Sequence, residues 1–309
     1  MKLPSNRTIA LVIGGIALIA IFFLSHGPVH TSIKDTEPVF TSPFATTSVQ
    51  ARSVFVYAPA SNHVMYQSNS DTPLPLASVT KIMTAYVTSN IFSDDDVIAI
   101  QSSDLAPEGD GGINPGEQWK FSDLRDVMLV ASANDAAEAL RRAADERLAA
   151  QGSASTTIGI MNEQGEQHML GTLKFNSVSG LDDPATQEAT AYGSARDIAL
   201  AFTYIIRERP EIFQATRESA IIRGALNGPQ KLFKNTNITI NDMPSIIASK
   251  TGYTDSAGGN LITAFDAGLG SPIVIAVLGS TNQDTRFQDM LQLAQKAVQY
   301  INGTYYSGL

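Results

Sequence analysis

The feature that most constrains the fold is the placement of strand-like segments at both ends of the folded sequence. Three apolar segments follow one another closely near the carboxyl end, at residues 246–248, 260–264 and 273–278. Glycine-rich turns separate them, which predicts antiparallel neighbours because a parallel pair needs a long crossover. Two more strand-like segments, 53–57 and 64–66, begin the folded part. The pattern predicts an antiparallel sheet completed by both ends of the chain, with helices packed on it.

Helical patterns occupy the middle of the chain, and one more helix is predicted at its carboxyl end. They mark residues 123–130, 135–148 and 195–207, and the last helix carries apolar residues between 290 and 298. The 309 residues, 43% of them hydrophobic, suffice for one large core or two layers.

Ser78 and Lys81 are the first candidate for chemistry, because they lie three residues apart in a predicted helix. Positions i and i+3 share a helix face, so the lysine amine can lie beside the serine hydroxyl. Pro73 and Pro75 precede the pair, and proline suits the first turn of a helix. We therefore expect a helix to begin just after them, with Ser78 in its first turn, where free N–H groups favour developing negative charge.

Two further short motifs extend this pair, although each is weak alone. Residues 132–134 (Ser-Ala-Asn) precede a predicted helix and are also typical of a helix cap. Residues 250–252 (Lys-Thr-Gly) follow an apolar strand and are also typical of a strand edge with a turn. The three motifs in this order match the signature of penicillin-binding proteins and class A β-lactamases, with Ser-Ala-Asn in place of Ser-Asp-Asn.

The chain resembles the serine-type D-alanyl-D-alanine carboxypeptidases, which are low-molecular-mass penicillin-binding proteins. The similarity covers roughly residues 51–300 and is carried by residues 76–86 (LASVTKIMTAY), 124–137 (LRDVMLVASANDAA), 175–176 (FN), 180–183 (GLDD), 192–199 (YGSARDIA), 235–237 (NTN) and 250–254 (KTGYT). The resemblance implies a mixed α/β fold of the α+β type, β-lactamase/transpeptidase-like, with a five-stranded antiparallel sheet flanked by helices and a mostly helical second lobe.

The resemblance also implies a division of roles among catalytic residues. Ser78 would attack the penultimate D-alanine carbonyl of a peptidoglycan stem peptide and form an acyl-enzyme. Lys81 would be the base, and burial together with a positive Lys250 nearby would lower its pKa. Ser132 would pass a proton towards the leaving D-alanine.

Substrate binding is implied for a second set: Asn134, Lys250, Thr251, Gly252, Tyr253 and Arg286. Asn134 would hold a substrate amide, and Lys250 with Thr251 would bind the terminal carboxylate. The backbone N–H groups of Ser78 and Tyr253 would form the oxyanion hole. Arg286 occupies the position of a family arginine that assists carboxylate binding, or is a solvated arginine at a helix start.

Composition excludes several other classes of protein. The chain has no cysteine, which excludes disulfides, thiolate metal sites and a cysteine nucleophile. A net charge of −9 disfavours nucleic-acid binding, and the four histidines form no HExxH pair. We expect no metal and no cofactor.

The first residues indicate export. Lys2 and Arg7 precede an apolar run of 16 residues, 9–24, without a convincing cleavage site. We expect residues 1–27 to be an uncleaved signal-anchor rather than a signal peptide, and residues 28–50, rich in Ser, Thr and Pro, to be a linker. Residues 51–305 would be the catalytic domain, on the extracytoplasmic side of a bacterial cell membrane.

Three functions remain open at this point. The first is a carboxypeptidase, or a related D,D-endopeptidase, that trims peptidoglycan and is covalently inhibited by β-lactams. A β-lactamase of the same fold would need a deacylating glutamate, but the E-x-x-L-N pattern of class A is absent, and Glu163, Glu166 and Glu188 lie in unlike contexts. A non-catalytic wall-binding protein would tolerate loss of the nucleophile or base, yet both are present.

Overall fold

The computed structural model describes residues 42–105, 111–268 and 270–307. The predicted signal-anchor and most of the predicted linker, residues 1–41, lie outside the described residues. None of the helices within the described ranges is both long and apolar enough to cross a membrane.

The described part of the chain has groups of strands near both of its ends, and helices dominate its middle. The strands are β1 (Ser53–Ala58), β2 (His63–Ser68), β3 (Leu74–Pro75), β4 (Val97–Ala99), β5 (Gln118–Lys120), β6 (Lys174–Phe175), β7 (Ala191–Gly193), β8 (Ala220–Gly224), β9 (Gln230–Lys234), β10 (Ile246–Thr254), β11 (Gly258–Asp266) and β12 (Pro272–Ser280). The α-helices are α1 (Lys81–Ile91), α2 (Phe121–Val130), α3 (Asn134–Ala150), α4 (Thr157–Gln167), α5 (Ala195–Glu208) and α6 (Thr285–Ser307). Short 3₁₀ helices span Pro43–Thr46, Ala77–Thr80, Ser102–Leu105 and Pro210–Arg217.

The main sheet has five strands in the order β10-β11-β12-β1-β2, and every neighbouring pair is antiparallel. Strand β1, from the start of the folded part, pairs with β12 from its end, so that Val54 lies opposite Val277. The predicted α+β fold, with a sheet closed by both ends of the chain, is confirmed.

Alternate residues of the central strands face two separate hydrophobic cores, as the period of two in a strand requires. Val54 and Val56 of β1 pack in the core that also contains Leu293 of α6. Phe55 and Tyr57 point the other way, into the larger core that includes helices α1 to α5. Because both faces are buried, strand β12 is an almost continuous apolar run, and β11 is mostly apolar.

Two predicted boundaries differ from those in the structure in ways that affect the site. The predicted strand 246–248 continues as β10 to Thr254, so residues 250–252 lie inside a strand and not after its end. The predicted α-helix after Pro75 begins instead as the 3₁₀ helix Ala77–Thr80, and α1 follows at Lys81.

The last part of the predicted linker is folded. Within the 3₁₀ helix Pro43–Thr46, Phe44 is only 5% exposed and stacks on Tyr66 with ring centroids 5.2 Å apart. Lys296 of α6 donates to the carbonyl of Pro43 at 2.7 Å. The folded part therefore extends to residue 42, nine residues before the predicted boundary at 51.

Candidate active site

The 3₁₀ helix before α1 brings Ser78 and Lys81 together. Side chains at i and i+3 eclipse in a 3₁₀ turn, which places them closer than on an α-helix. The Nζ atom of Lys81 lies 2.7 Å from Oγ of Ser78. The sequence predicted this pairing but assumed a regular α-helical turn.

Lys81 is completely buried and is surrounded by neutral acceptors. Its Nζ donates to Oδ1 of Asn134 at 2.6 Å and to the carbonyl of Ser179 at 3.3 Å. Burial lowers the pKa of Lys81 to about 7, against the opposing effect of the carboxylates of Asp135 and Glu138. A side chain that is ordinarily charged is thereby made able to accept a proton near neutral pH.

Lys250 approaches the same site from strand β10. Its Nζ donates to Oγ of Ser132 at 2.9 Å and to the carbonyl of Thr251 at 2.8 Å. Burial first, and then the positive charges of Lys81 and Arg286, hold the pKa of Lys250 well below its usual value. The predicted repulsion between the two amines therefore lowers the pKa of Lys250, whereas burial is what lowers the pKa of Lys81.

Ser132 does not serve as a helix cap, the alternative that the sequence left open. The N-cap residue of α3 is Ala133, and no side-chain hydrogen bond caps the helix. Ser132 instead has a positive φ of 61°, which a serine adopts only when its surroundings fix it. This backbone conformation directs its hydroxyl towards Lys250.

Gly252 packs directly on the backbone of the nucleophile turn. A Cβ atom at this position would lie 2.9 Å from the carbonyl oxygen of Leu76 and 3.1 Å from the amide nitrogens of Ser78 and Val79. Only glycine allows strand β10 to approach so closely. The close approach explains why the third position of the Lys-Thr-Gly motif is glycine.

Two other contacts fix strand β10 and the turn that precedes Ser78. The hydroxyls of Thr251 and Thr236 are 2.6 Å apart. The Nδ2 atom of Asn260, on β11, donates to the carbonyl of Pro75 at 2.9 Å. The sheet thus holds the nucleophile turn through side chains as well as by packing.

Arg286 is not a solvated arginine, although it lies at the start of α6. It is only 5% exposed, and its Nη1 donates to the carbonyl of Gly252 at 2.7 Å. Burial lowers its pKa to about 10. The structure therefore places Arg286 in direct contact with the strand that carries Lys250 and Thr251.

Residues 177–190 form a compact segment beside the site that sequence reasoning did not assign a role. Gly180 has φ of +76°, and a Cβ atom there would collide with the carbonyl of Ala77 and with Oγ1 of Thr80. A cavity of about 720 Å³ lies between residues 181–184 and 253–255 and is also lined by Ser179. The one sequence feature that pointed to this segment was that residues 180–183 match the family in the resemblance.

The glutamates considered for a β-lactamase are not positioned for catalysis in the described residues. Glu163, Glu166 and Glu188 are exposed, and Glu166 pairs with Lys174 at 3.7 Å. Within the same ranges no group of three or more His, Asp or Glu side chains is arranged to hold a metal ion.

Comparison with known proteins agrees with the fold and the motifs. Residues 40–282 match the D-alanyl-D-alanine carboxypeptidase family of peptidases. The chain is 30% identical over 263 residues to D-alanyl-D-alanine carboxypeptidase DacC of Escherichia coli, a match that covers 80% of this chain and 60% of that protein. It is 32% identical over 221 residues to a D-alanyl-D-alanine endopeptidase of Haemophilus influenzae, covering 69% of each.

Solved structures show the same fold. The chain superposes on penicillin-binding protein D2 of Listeria monocytogenes, solved in its ampicillin-bound form, with a TM-score of 0.66 and 27% identity, over 80% of this chain and 97% of that one. The chain belongs to the D-alanyl-D-alanine carboxypeptidase family. It spans about 60% of the length of the Escherichia coli relative.

Proposed function

We propose that this protein is a serine-type D-alanyl-D-alanine carboxypeptidase that removes the terminal D-alanine from peptidoglycan stem peptides. The observation that carries the proposal is the 2.7 Å contact between Ser78 Oγ and the buried amine of Lys81. A serine needs a base to become a nucleophile, and a lysine with a pKa of about 7 supplies one at neutral pH.

Acylation follows from this contact. Ser78 Oγ attacks the carbonyl carbon of the penultimate D-alanine, and its proton moves to Nζ of Lys81. The backbone N–H groups of Ser78 and Tyr253 stabilise the oxyanion, an effect of about 3 kcal/mol per donor. The C–N bond then breaks as the proton held by Lys81 is passed through Ser132 to the leaving nitrogen, so that D-alanine departs and an ester on Ser78 remains.

Deacylation regenerates the enzyme. A water molecule attacks the ester carbonyl as it gives up a proton to Nζ of Lys81, the C–O bond to Ser78 breaks, and Oγ of Ser78 takes that proton back from Lys81. Asn134 accepts from Lys81 at 2.6 Å and so orients the base, and we assign it the further role of holding the substrate amide.

The terminal carboxylate of the substrate is assigned to Lys250 and Thr251. Lys250 is buried with a depressed pKa, and an arriving carboxylate would raise that pKa and favour the ammonium form. Thr251 would offer its hydroxyl, which Thr236 orients. Arg286 supports this end of the site through the carbonyl of Gly252.

A β-lactam would acylate the same serine, because it presents a strained amide next to a carboxylate. The relative solved with ampicillin supports this part of the proposal. The glutamate pattern of class A enzymes is absent from the sequence, so the penicilloyl ester is expected to persist.

The decisive experiment combines two measurements on the purified protein. Intact mass after incubation with penicillin should rise by one penicilloyl group, and Ser78→Ala should abolish the increase. A pentapeptide ending in D-Ala-D-Ala should lose one D-alanine. An unlabelled wild-type protein, or equal labelling of Ser78→Ala, would refute the proposal, and rapid penicillin turnover would indicate a β-lactamase.

A D,D-endopeptidase is the second candidate, supported by the endopeptidase relative from Haemophilus influenzae. In that reaction the amide cleaved joins D-alanine to a side-chain amine of another stem peptide. Incubation with a cross-linked dimer and with the pentapeptide, followed by chromatography, distinguishes the two activities.

We further propose that residues 1–27 anchor the protein, with its catalytic domain on the extracytoplasmic side of a bacterial cell membrane. The support is the pair Lys2 and Arg7 before the apolar run 9–24. Fractionation of cells that express the full chain, with and without residues 1–27, tests the anchor, and protease accessibility in spheroplasts tests the orientation.

A further inference from the structure

Asp182 forms a link between the segment 177–190 and the end of strand β10. Its Oδ1 accepts from the hydroxyl of Ser256 at 2.6 Å and from that of Thr254 at 3.0 Å. Its Oδ2 accepts from the N–H of Ser256 at 3.2 Å. One carboxylate thus binds three donors at the end of strand β10 and in the turn that follows it.

The segment that Asp182 fixes also contacts the base and the nucleophile turn. The carbonyl of Ser179 accepts from Nζ of Lys81. Gly180 packs against the carbonyl of Ala77, next to Ser78. A displacement of this segment would therefore change the contacts of Lys81, the base, and of the nucleophile turn.

The other end of the link lies beside the proposed oxyanion hole. Thr254 directly follows Tyr253, whose N–H is one of the two assigned donors. Residues 253–255 and residues 181–184 both line the 720 Å³ cavity. Asp182 joins these two lining segments through its hydrogen bonds to Thr254 and Ser256.

We propose that Asp182 is a positioning residue for acyl transfer: by tying residues 177–190 to the β10–β11 turn, it holds the carbonyl of Ser179 on Lys81 and the N–H of Tyr253 at the reacting carbonyl. The inference rests on the proposed function. It adds a role for a residue that touches neither Ser78 nor Lys81.

The adjacent Asp183 provides a control with the same charge. Its Oδ1 accepts only from the backbone N–H groups of Ala185 and Thr186 among its described hydrogen bonds, within its own turn. Asp183→Ala removes one negative charge one residue away but leaves the link to Ser256 intact. Asp182→Asn keeps an oxygen that can accept from both hydroxyls.

The test measures the maximal acylation rate of the full chain by a fluorescent penicillin, together with the melting temperature of each variant. Asp182→Ala should acylate about ten- to a hundredfold more slowly, the effect of a misplaced reacting group, while Asp183→Ala stays near the wild-type rate. Asp182→Asn should restore most of the rate, which a purely electrostatic role would not allow.

If Asp182→Ala does not fold, Ser256→Ala and Thr254→Val remove its donors one at a time, and the pair together should slow acylation. Equal rates for Asp182→Ala and Asp183→Ala, or a loss of rate that follows the melting temperature in every variant, would overturn the inference. Failure of the proposed function itself is a different result, because the wild-type protein would then not be acylated.

Discussion

Gly252 lies so close to the amide nitrogen of Ser78 that a methyl group on its α-carbon would be 3.1 Å from that nitrogen. The neighbours are backbone atoms of the nucleophile turn, which cannot rotate away as a flexible side chain would. The position of strand β10 relative to the nucleophile is therefore set by the absence of a side chain.

Gly252→Ala should slow acylation of Ser78 by about a hundredfold, since a shift of strand β10 misplaces the oxyanion donor and the carboxylate-binding residues together. Stopped-flow acylation by penicillin measures the effect. Gly171→Ala is the matched control, because a Cβ atom there would have no neighbour within 4 Å. Equal acylation rates in the two variants would contradict the proposed packing.

The chemical groups of the site were predictable from the sequence, because their spacing reflects the reaction. Ser78 with Lys81, and the motifs around Ser132 and Lys250, were found as patterns, and the structure brings them within hydrogen-bond distance. The sheet was predictable because both of its faces are buried, which leaves long apolar runs at both ends of the folded chain.

The features that were not predictable depend on contacts between distant segments. The 3₁₀ turn at Ala77–Thr80 and the positive φ of Ser132 are imposed by packing. No residue pattern in the sequence signals either conformation. The burial of Arg286 and the docking of Phe44 involve partners more than 20 residues away in the sequence. Hydrophobic periodicity depends on neighbouring residues and so does not reveal contacts between distant segments.

The acylation rate should rise with pH through about 7 and then level off. Below its pKa of about 7, Lys81 carries a proton and cannot accept one from Ser78; above it, the amine is free to act as base. The second-order acylation constant measured between about pH 5.5 and pH 8.5 checks this expectation. A constant that does not change across this range would exclude Lys81 as the titrating base.

Glu138→Gln should move that pH dependence to lower pH. The carboxylate of Glu138 favours the charged form of Lys81, so its removal lowers the pKa of the amine further. Glu146→Gln, on the exposed side of the same helix, is the control and should leave the profile unchanged. A shift of the Glu138→Gln profile to higher pH would show that the sign of the interaction is wrong.

Lys250→Met should weaken the preference for substrates with a free terminal carboxylate. A hydrogen bond to a charged group contributes about 1.5–3 kcal/mol, so kcat/KM for the pentapeptide should fall about ten- to a hundredfold. The same peptide with a carboxamide end should lose less, because Lys250 makes no ion pair with it. If both peptides lose equally, Lys250 acts through Ser132 and not on the carboxylate.

Phe44→Ala should destabilise the protein without slowing acylation. Phe44 is buried against Tyr66 and Tyr300 on the face of the sheet that α6 covers, away from Ser78. Loss of a buried phenylalanine side chain costs about 3–5 kcal/mol. Thermal or urea unfolding measures the change, and penicillin acylation at 25 °C, well below the melting temperature, should remain at the wild-type rate. Because Phe44 lies before residue 51, a chain that starts at 51 should be less stable than a chain that starts at 42. Equal stability of these two truncated chains would contradict the contribution of Phe44 to the core.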